Sequence, residues 1–135
     1  MKNKLLFLTL LVSTISFSQN SDVTLQISTA KTELFLIEIF KNCPEFIPTD
    51  IENYEELVNK VSIIISTKGE EELVELPLLS KVPLKTKCNE EIIQGNFSFE
   101  IGTFNPIKYF FNFYSPTDMY YRVDGTSLVI KVSAI

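Results

Sequence analysis

Apolar and polar residues follow several distinct rhythms along the chain, and each rhythm predicts an element. The first is a block. Leu5 to Val12 is apolar except for Thr9, follows Lys2 and Lys4, and runs into a small-residue tract from Ser13 to Ser18. Basic start, apolar centre and small-residue end are the three regions of a cleavable export signal, with cleavage after Ser18 and Gln19 as the new N-terminus. The block is well short of the ~20 apolar residues that span a bilayer. No cysteine follows the cut to take a lipid.

Beyond it, Val23, Leu25 and Ile27 alternate with Thr24, Gln26 and Ser28, which predicts a strand. Glu33 to Lys41 supports two readings: the β-rich Phe35, Ile37 and Ile39 fit a strand, and the continuous Leu34 to Ile37 run fits a buried helix. Pro44 ends either one. Thr49 and Glu52 have the spacing of a capping box, and Ile51, Tyr54, Leu57, Val58 and Val61 recur at three and four residues. An amphipathic helix over about 50–60 follows. Val61 to Thr67 then reads as a strand, Lys68-Gly69 as a turn, and Glu71 to Leu76 as the strand's partner, stopped by Pro77. Val82 to Cys88 is a further expected strand, for which Pro83 favours an edge position or a strand start.

In the C-terminal third, turns, alternation and charges agree on one register. A two-residue turn at Asp124-Gly125 places Tyr121 opposite Leu128, Met119 opposite Ile130 and Asp118 opposite Lys131. Loops at Ser115 to Thr117 and Gly102 to Pro106 extend the scheme, setting Phe111 opposite Tyr121, Phe97 opposite Phe111 and Glu100 opposite Lys108. One face then collects most of the large apolar side chains. The expected architecture is α+β, mainly antiparallel β: one amphipathic helix packed on a sheet, with a C-terminal four-stranded meander over about 96–134. Residues 19–135 form one domain, since no repeat or linker divides them.

Charge narrows the partners. The chain carries 12 Lys+Arg and 17 Asp+Glu, a net charge of −5, and loss of Lys2 and Lys4 with the signal lowers it to −7. That balance argues against nucleic acid and anionic membrane surfaces, and the shed domain holds no transmembrane segment. Export also gives meaning to Cys43 and Cys88, because an oxidising compartment permits a disulfide between them. Two buried free thiols are the competing arrangement. There is no histidine to activate a cysteine nucleophile.

Candidate chemistry is sparse. Hydrolase triads and zinc motifs usually draw on histidine, and only four glycines are present, none in a phosphate-binding fingerprint. No catalytic residue, metal ligand or cofactor is assigned. Ten aromatics between Phe97 and Tyr121 are mostly inward-facing in the register above. Phe110, Tyr114, Tyr120 and Val129 instead fall on the opposite face, near Arg122. Either the helix or the N-terminal strands cover them, or they form a contact surface. Phe110, Tyr114, Tyr120 and Arg122 are therefore the candidate binding residues. The leading expectation is a non-enzymatic secreted or periplasmic binding module for a protein or other extracytoplasmic ligand. A carboxylate-dependent hydrolase of an extracellular polymer, drawing on groups such as Glu55 with Glu56 or Glu70 to Glu72, and a structural envelope component are the alternatives.

Overall fold

A computed structural model describes residues 21–92 and 99–135. The expected export signal and the N-terminal part of the expected meander, including Phe97, lie outside the described residues. Seven elements of regular structure are described besides short 3-10 turns: β1 (Val23–Gln26), α1 (Thr32–Ile39), α2 (Glu52–Asn59), β2 (Val61–Ile65), α3 (Glu70–Leu73), β3 (Met119–Arg122) and β4 (Leu128–Val132). The strands form one antiparallel sheet in the order β1-β2-β4-β3. The fold is α+β with an antiparallel sheet.

The alternation at Val23 to Ser28 becomes β1, and Leu25 and Ile27 pack against the main core. Glu33 to Lys41 resolves as helix. Phe35, Leu36 and Ile39 of α1 are buried at three- and four-residue spacing, while Leu34 and Ile37 are exposed. In α2, Val58 is fully buried and joins Phe35, Ile39 and Ile107 in a second, smaller core. Its expected capping box does not form. The helix starts after Ile51, which makes no side-chain cap, and the Asp50 carboxylate accepts the Glu52 N–H at 3.1 Å instead.

The C-terminal meander is replaced by a different arrangement. Only its last hairpin, β3–β4, is a ladder among the described residues, and β4 pairs on its other side with β2. Residues 99–117 contain 3-10 turns at Ile101–Thr103 and Pro106–Lys108, the second held by the Asn105 side chain accepting from the Ile107 N–H. A proline at the start of that turn has no N–H to give a ladder. The two-sided alternation nevertheless persists: Tyr109, Phe111 and Phe113 are buried while Phe110, Asn112 and Tyr114 are exposed. Phe99, Phe104, Tyr109, Phe111 and Phe113 form a chain of ring contacts 5.1–5.9 Å apart, and Tyr121 meets Phe111 at 5.1 Å. Burial of alternate aromatics thus dictates an extended backbone without requiring a strand partner. Its hydrogen bonds go to the preceding segment, with Lys85 N–H donating to Lys108 O at 2.9 Å and Phe110 N–H to Pro83 O at 2.9 Å. The expected strand over Val82 to Cys88 is reduced to a single bridge between Leu84 and Tyr109.

The surviving hairpin sits two residues from its expected register. Tyr121 faces Ile130 and Met119 faces Val132. A four-residue loop takes the place of the two-residue turn because Thr126 Oγ1 donates to Val123 O at 2.8 Å and accepts from Leu128 N–H at 3.0 Å. Gly125 supplies the positive φ of 70° that this loop needs. A shift of two keeps every side chain on its face. Asp118 still meets Lys131, at 3.6 Å, whereas Lys108 pairs with Glu38 at 2.8 Å and not with Glu100.

Glu71 to Leu76 is helix and turn, not a strand. Both edges of β2 are already taken by β1 and β4, so no ladder remains for it to join. Leu73 is instead buried at 4% exposure. Cys43 and Cys88 are joined in a disulfide with Cα atoms 5.3 Å apart, closing a sequence separation of 45 residues. Around it, Asn42 N–H donates to Cys88 O at 2.8 Å, Asn89 Nδ2 donates to Glu38 O at 2.7 Å, and Lys41 pairs with Glu91 at 2.6 Å. These tie the end of α1 to residues 86–92. No helix among the described residues is long and apolar enough to cross a membrane.

Candidate functional site

The sheet has two unequal faces. Val61, Ile63, Tyr121, Ile130 and Val132 turn to the main core, under the aromatic chain. Ladder partners share a face, so Thr24, Ile64, Val129 and Arg122 lie on the other side, with Ser62, Lys131 and Tyr120 in the next row. A strand with only one buried face alternates, but Ile63-Ile64-Ile65 is continuous. That run is the signal of a central strand covered on both faces.

The cover on the second face comes from α3 and the chain behind it. Leu73 and Leu76 stand over Ile64, Val129 and Tyr120 and leave a hollow of about 220 Å³ between them, with Asp22, Ser66 and Lys68 at its margin. The chain that follows is tied to the sheet at Arg122, whose backbone N–H donates to Pro77 O at 2.8 Å. The Arg122 Nε is buried without a hydrogen-bond partner among the described residues. Asp22 accepts from the Thr67 N–H at 2.8 Å and Thr67 Oγ1 at 3.0 Å. Those two hydrogen bonds, aided by Lys68 and opposed by partial desolvation, hold its carboxyl below the usual carboxylate range and keep a negative charge at the rim. Glu71, Glu72 and Glu75 are exposed on the covering segment.

The four candidate binding residues have different settings. Tyr120, 39% exposed, lines the hollow, and Arg122 is its half-buried neighbour on the same sheet face. Phe110 is 59% exposed with the Lys85 ammonium 5.6 Å from its ring centre, and Tyr114 is 70% exposed with the Lys60 ammonium at 5.0 Å. These two rings belong to the turn-rich segment and not to the sheet, so the expected single sheet-face surface contracts to Tyr120 and Arg122. Val129, grouped with them by sequence, is buried at 4% exposure. Ile64, Leu73 and Leu76, which complete the hollow, carried no signal of a site beyond the isoleucine run.

Compared with known protein families, characterised proteins and solved structures, the chain matches none of them.

Two further polar groupings have structural roles. Asn105, 2% exposed, donates to Phe35 O at 3.1 Å and Glu38 Oε2 at 3.0 Å, pinning its turn to α1. Ser80 Oγ and N–H both bond the Asp124 carboxylate, at 2.6 and 3.2 Å, and anchor the hairpin loop. Among the described residues no group of three or more His, Cys, Asp or Glu is placed to hold a metal ion. Asp22 and Asp118 have lowered pKa values, the latter chiefly through the Ala134 N–H, and so favour the ionised form. A general acid needs the opposite shift.

Proposed function

We propose that this chain is a non-enzymatic binding module, exported to the periplasm or beyond the cell, that captures an extracytoplasmic protein through an apolar side chain inserted beside Tyr120. The observation that carries the reading is the hollow on the second sheet face, where Ile64, Leu73, Leu76, Tyr120 and Val129 enclose about 220 Å³ under an incomplete cover. Apolar surface left accessible between a sheet and a short helix is a usual form of anchor pocket. Tyr120 adds a ring whose hydroxyl can stay hydrated at the rim. The ionised Asp22 and the exposed Glu71, Glu72 and Glu75 favour a partner with basic residues flanking its apolar anchor. The disulfide is compatible with an extracytoplasmic setting.

The test compares capture from the native envelope and medium by the wild-type protein and a Tyr120→Ser variant, followed by titration of each purified partner. A partner that uses the hollow loses about tenfold or more in affinity on Tyr120→Ser, and its binding weakens with salt. Equal binding by both proteins overturns the assignment of the hollow. Absence of any wild-type partner overturns the binding-module reading.

A further inference from the structure

The two edges of the sheet are finished differently. On β3 the outer side is met by the chain, where the Arg122 N–H donates to Pro77 O and Leu78 bridges to Arg122. On β1 the direction of the backbone groups follows from the ladder. Ser133 N–H donates to Lys60 O and Ser66 N–H to Ser127 O. The even-numbered residues of β2 therefore bond to β4, and its odd-numbered residues turn to β1. Ile63 faces Leu25 and Ile65 faces Val23, so those two β1 residues use their N–H and C=O groups inward. Thr24 and Gln26 direct theirs outward, and no hydrogen bond among the described residues meets them.

We infer that β1 is a self-association edge, at which a second copy of this chain adds its own β1 in antiparallel register. Three features select that occupant. The segment from Val23 to Ala30 has no charged residue, proline or glycine, so it lacks the usual guards of an exposed edge. Two copies of an acidic chain can meet along it without bringing like charges together. Its polarity is also self-complementary: with Leu25 opposite Leu25 across the two-fold axis, Thr24 meets Gln26 and Val23 meets Ile27. Residues opposite one another then share a face, and the outward groups of Thr24 and Gln26 form the hydrogen-bonded pairs. Beside this edge, Leu25, Ile27, Ile63, Ile101 and Phe104 line a hollow of about 280 Å³. The inward apolar side chains of the added strand fall on that side, combining ladder bonds with an apolar pocket as in other strand-addition complexes.

One short strand pair buries less than a standard interface, so the association is weak, with a dissociation constant of roughly 10⁻⁵ to 10⁻³ M. Sedimentation equilibrium of the purified protein from ~10 µM to ~1 mM is expected to show monomer and dimer. Raising salt from about 50 to about 500 mM strengthens it, because the net-negative copies repel less. Thr24→Pro deletes an outward N–H that the monomer's ladder does not use. It should weaken the dimer at least about tenfold and leave the thermal midpoint unchanged. Thr24→Lys, which keeps the N–H but charges the edge, should weaken it too. A monomer at ~1 mM in high salt overturns the inference, as does a dimer that survives Thr24→Pro or weakens with salt. A Thr24→Pro monomer that loses stability also overturns it, because the edge is then already paired within the chain.

Discussion

Tyr109 shows how much one buried residue can carry in this protein. The residue is 7% exposed and its ring stacks at 5.2 Å on Phe111. Burial first, then the negative charges of Glu38 and Asp124, push its phenol up to about 12. The folded chain thus keeps a proton that the unfolded chain releases near pH 10, and stability falls as pH rises from the unfolded value through the folded one. Urea unfolding is expected to show the loss over about pH 10 to 12, of roughly 2 kcal/mol, and Tyr109→Phe should remove that part of the slope. Tyr121, raised by burial, contributes in the same direction and remains in the variant. At this scale the sequence was informative about faces: alternation set Tyr109, Phe111, Phe113 and Tyr121 on the inner face and Phe110, Tyr114, Tyr120 and Val129 on the opposite one, of which the fold buries Val129 and leaves the three rings exposed. Inside and outside depend on which way successive side chains point along an extended backbone, whatever that backbone bonds to.

Elements were legible where their pattern was local and ambiguous where a neighbour had to decide. The stripe of α2 could be read directly, but the group that satisfies its first N–H could not, because Thr49 and Asp50 are both good acceptors one residue apart. The structure selects Asp50. Asp50→Ala is therefore expected to cost about 0.5–1 kcal/mol in urea denaturation, and Thr49→Ala to stay within about 0.3 kcal/mol of wild type. The β3–β4 turn taught a similar lesson. Asp124-Gly125 is a good two-residue hairpin turn in isolation, but Ser80 holds the Asp124 side chain and Thr126 bridges the loop. A side chain 44 residues away thereby helps to stabilise the longer loop. The fate of Glu71 to Leu76 likewise depended on β2 having no free edge.

For the whole molecule, the Cys43–Cys88 bridge is the longest-range covalent constraint the sequence contains. In the chain-entropy view, closing a loop of this length limits the unfolded ensemble by roughly 4 kcal/mol, a large part of a typical domain's stability. A Cys43→Ala, Cys88→Ala double variant should unfold at markedly lower urea with a somewhat steeper slope, because the unlinked unfolded chain exposes more surface, and wild-type protein under reductant should match it. The amino-acid sequence by itself determined the class, the strand at Val23, the helix at Glu52 and the two faces of the aromatic segment, all of which follow from local periodicity. It left Cys43 and Cys88 open between a bridge and two free thiols, and the fold decided for the bridge by bringing their Cα atoms to 5.3 Å. Strand order, the two-residue register shift, the covered second face and the hollow beside Tyr120 were decided by tertiary structure. Each depends on which distant segment reaches an edge or a face first, and the apolar pattern of β2 is satisfied equally by any partner that can cover it.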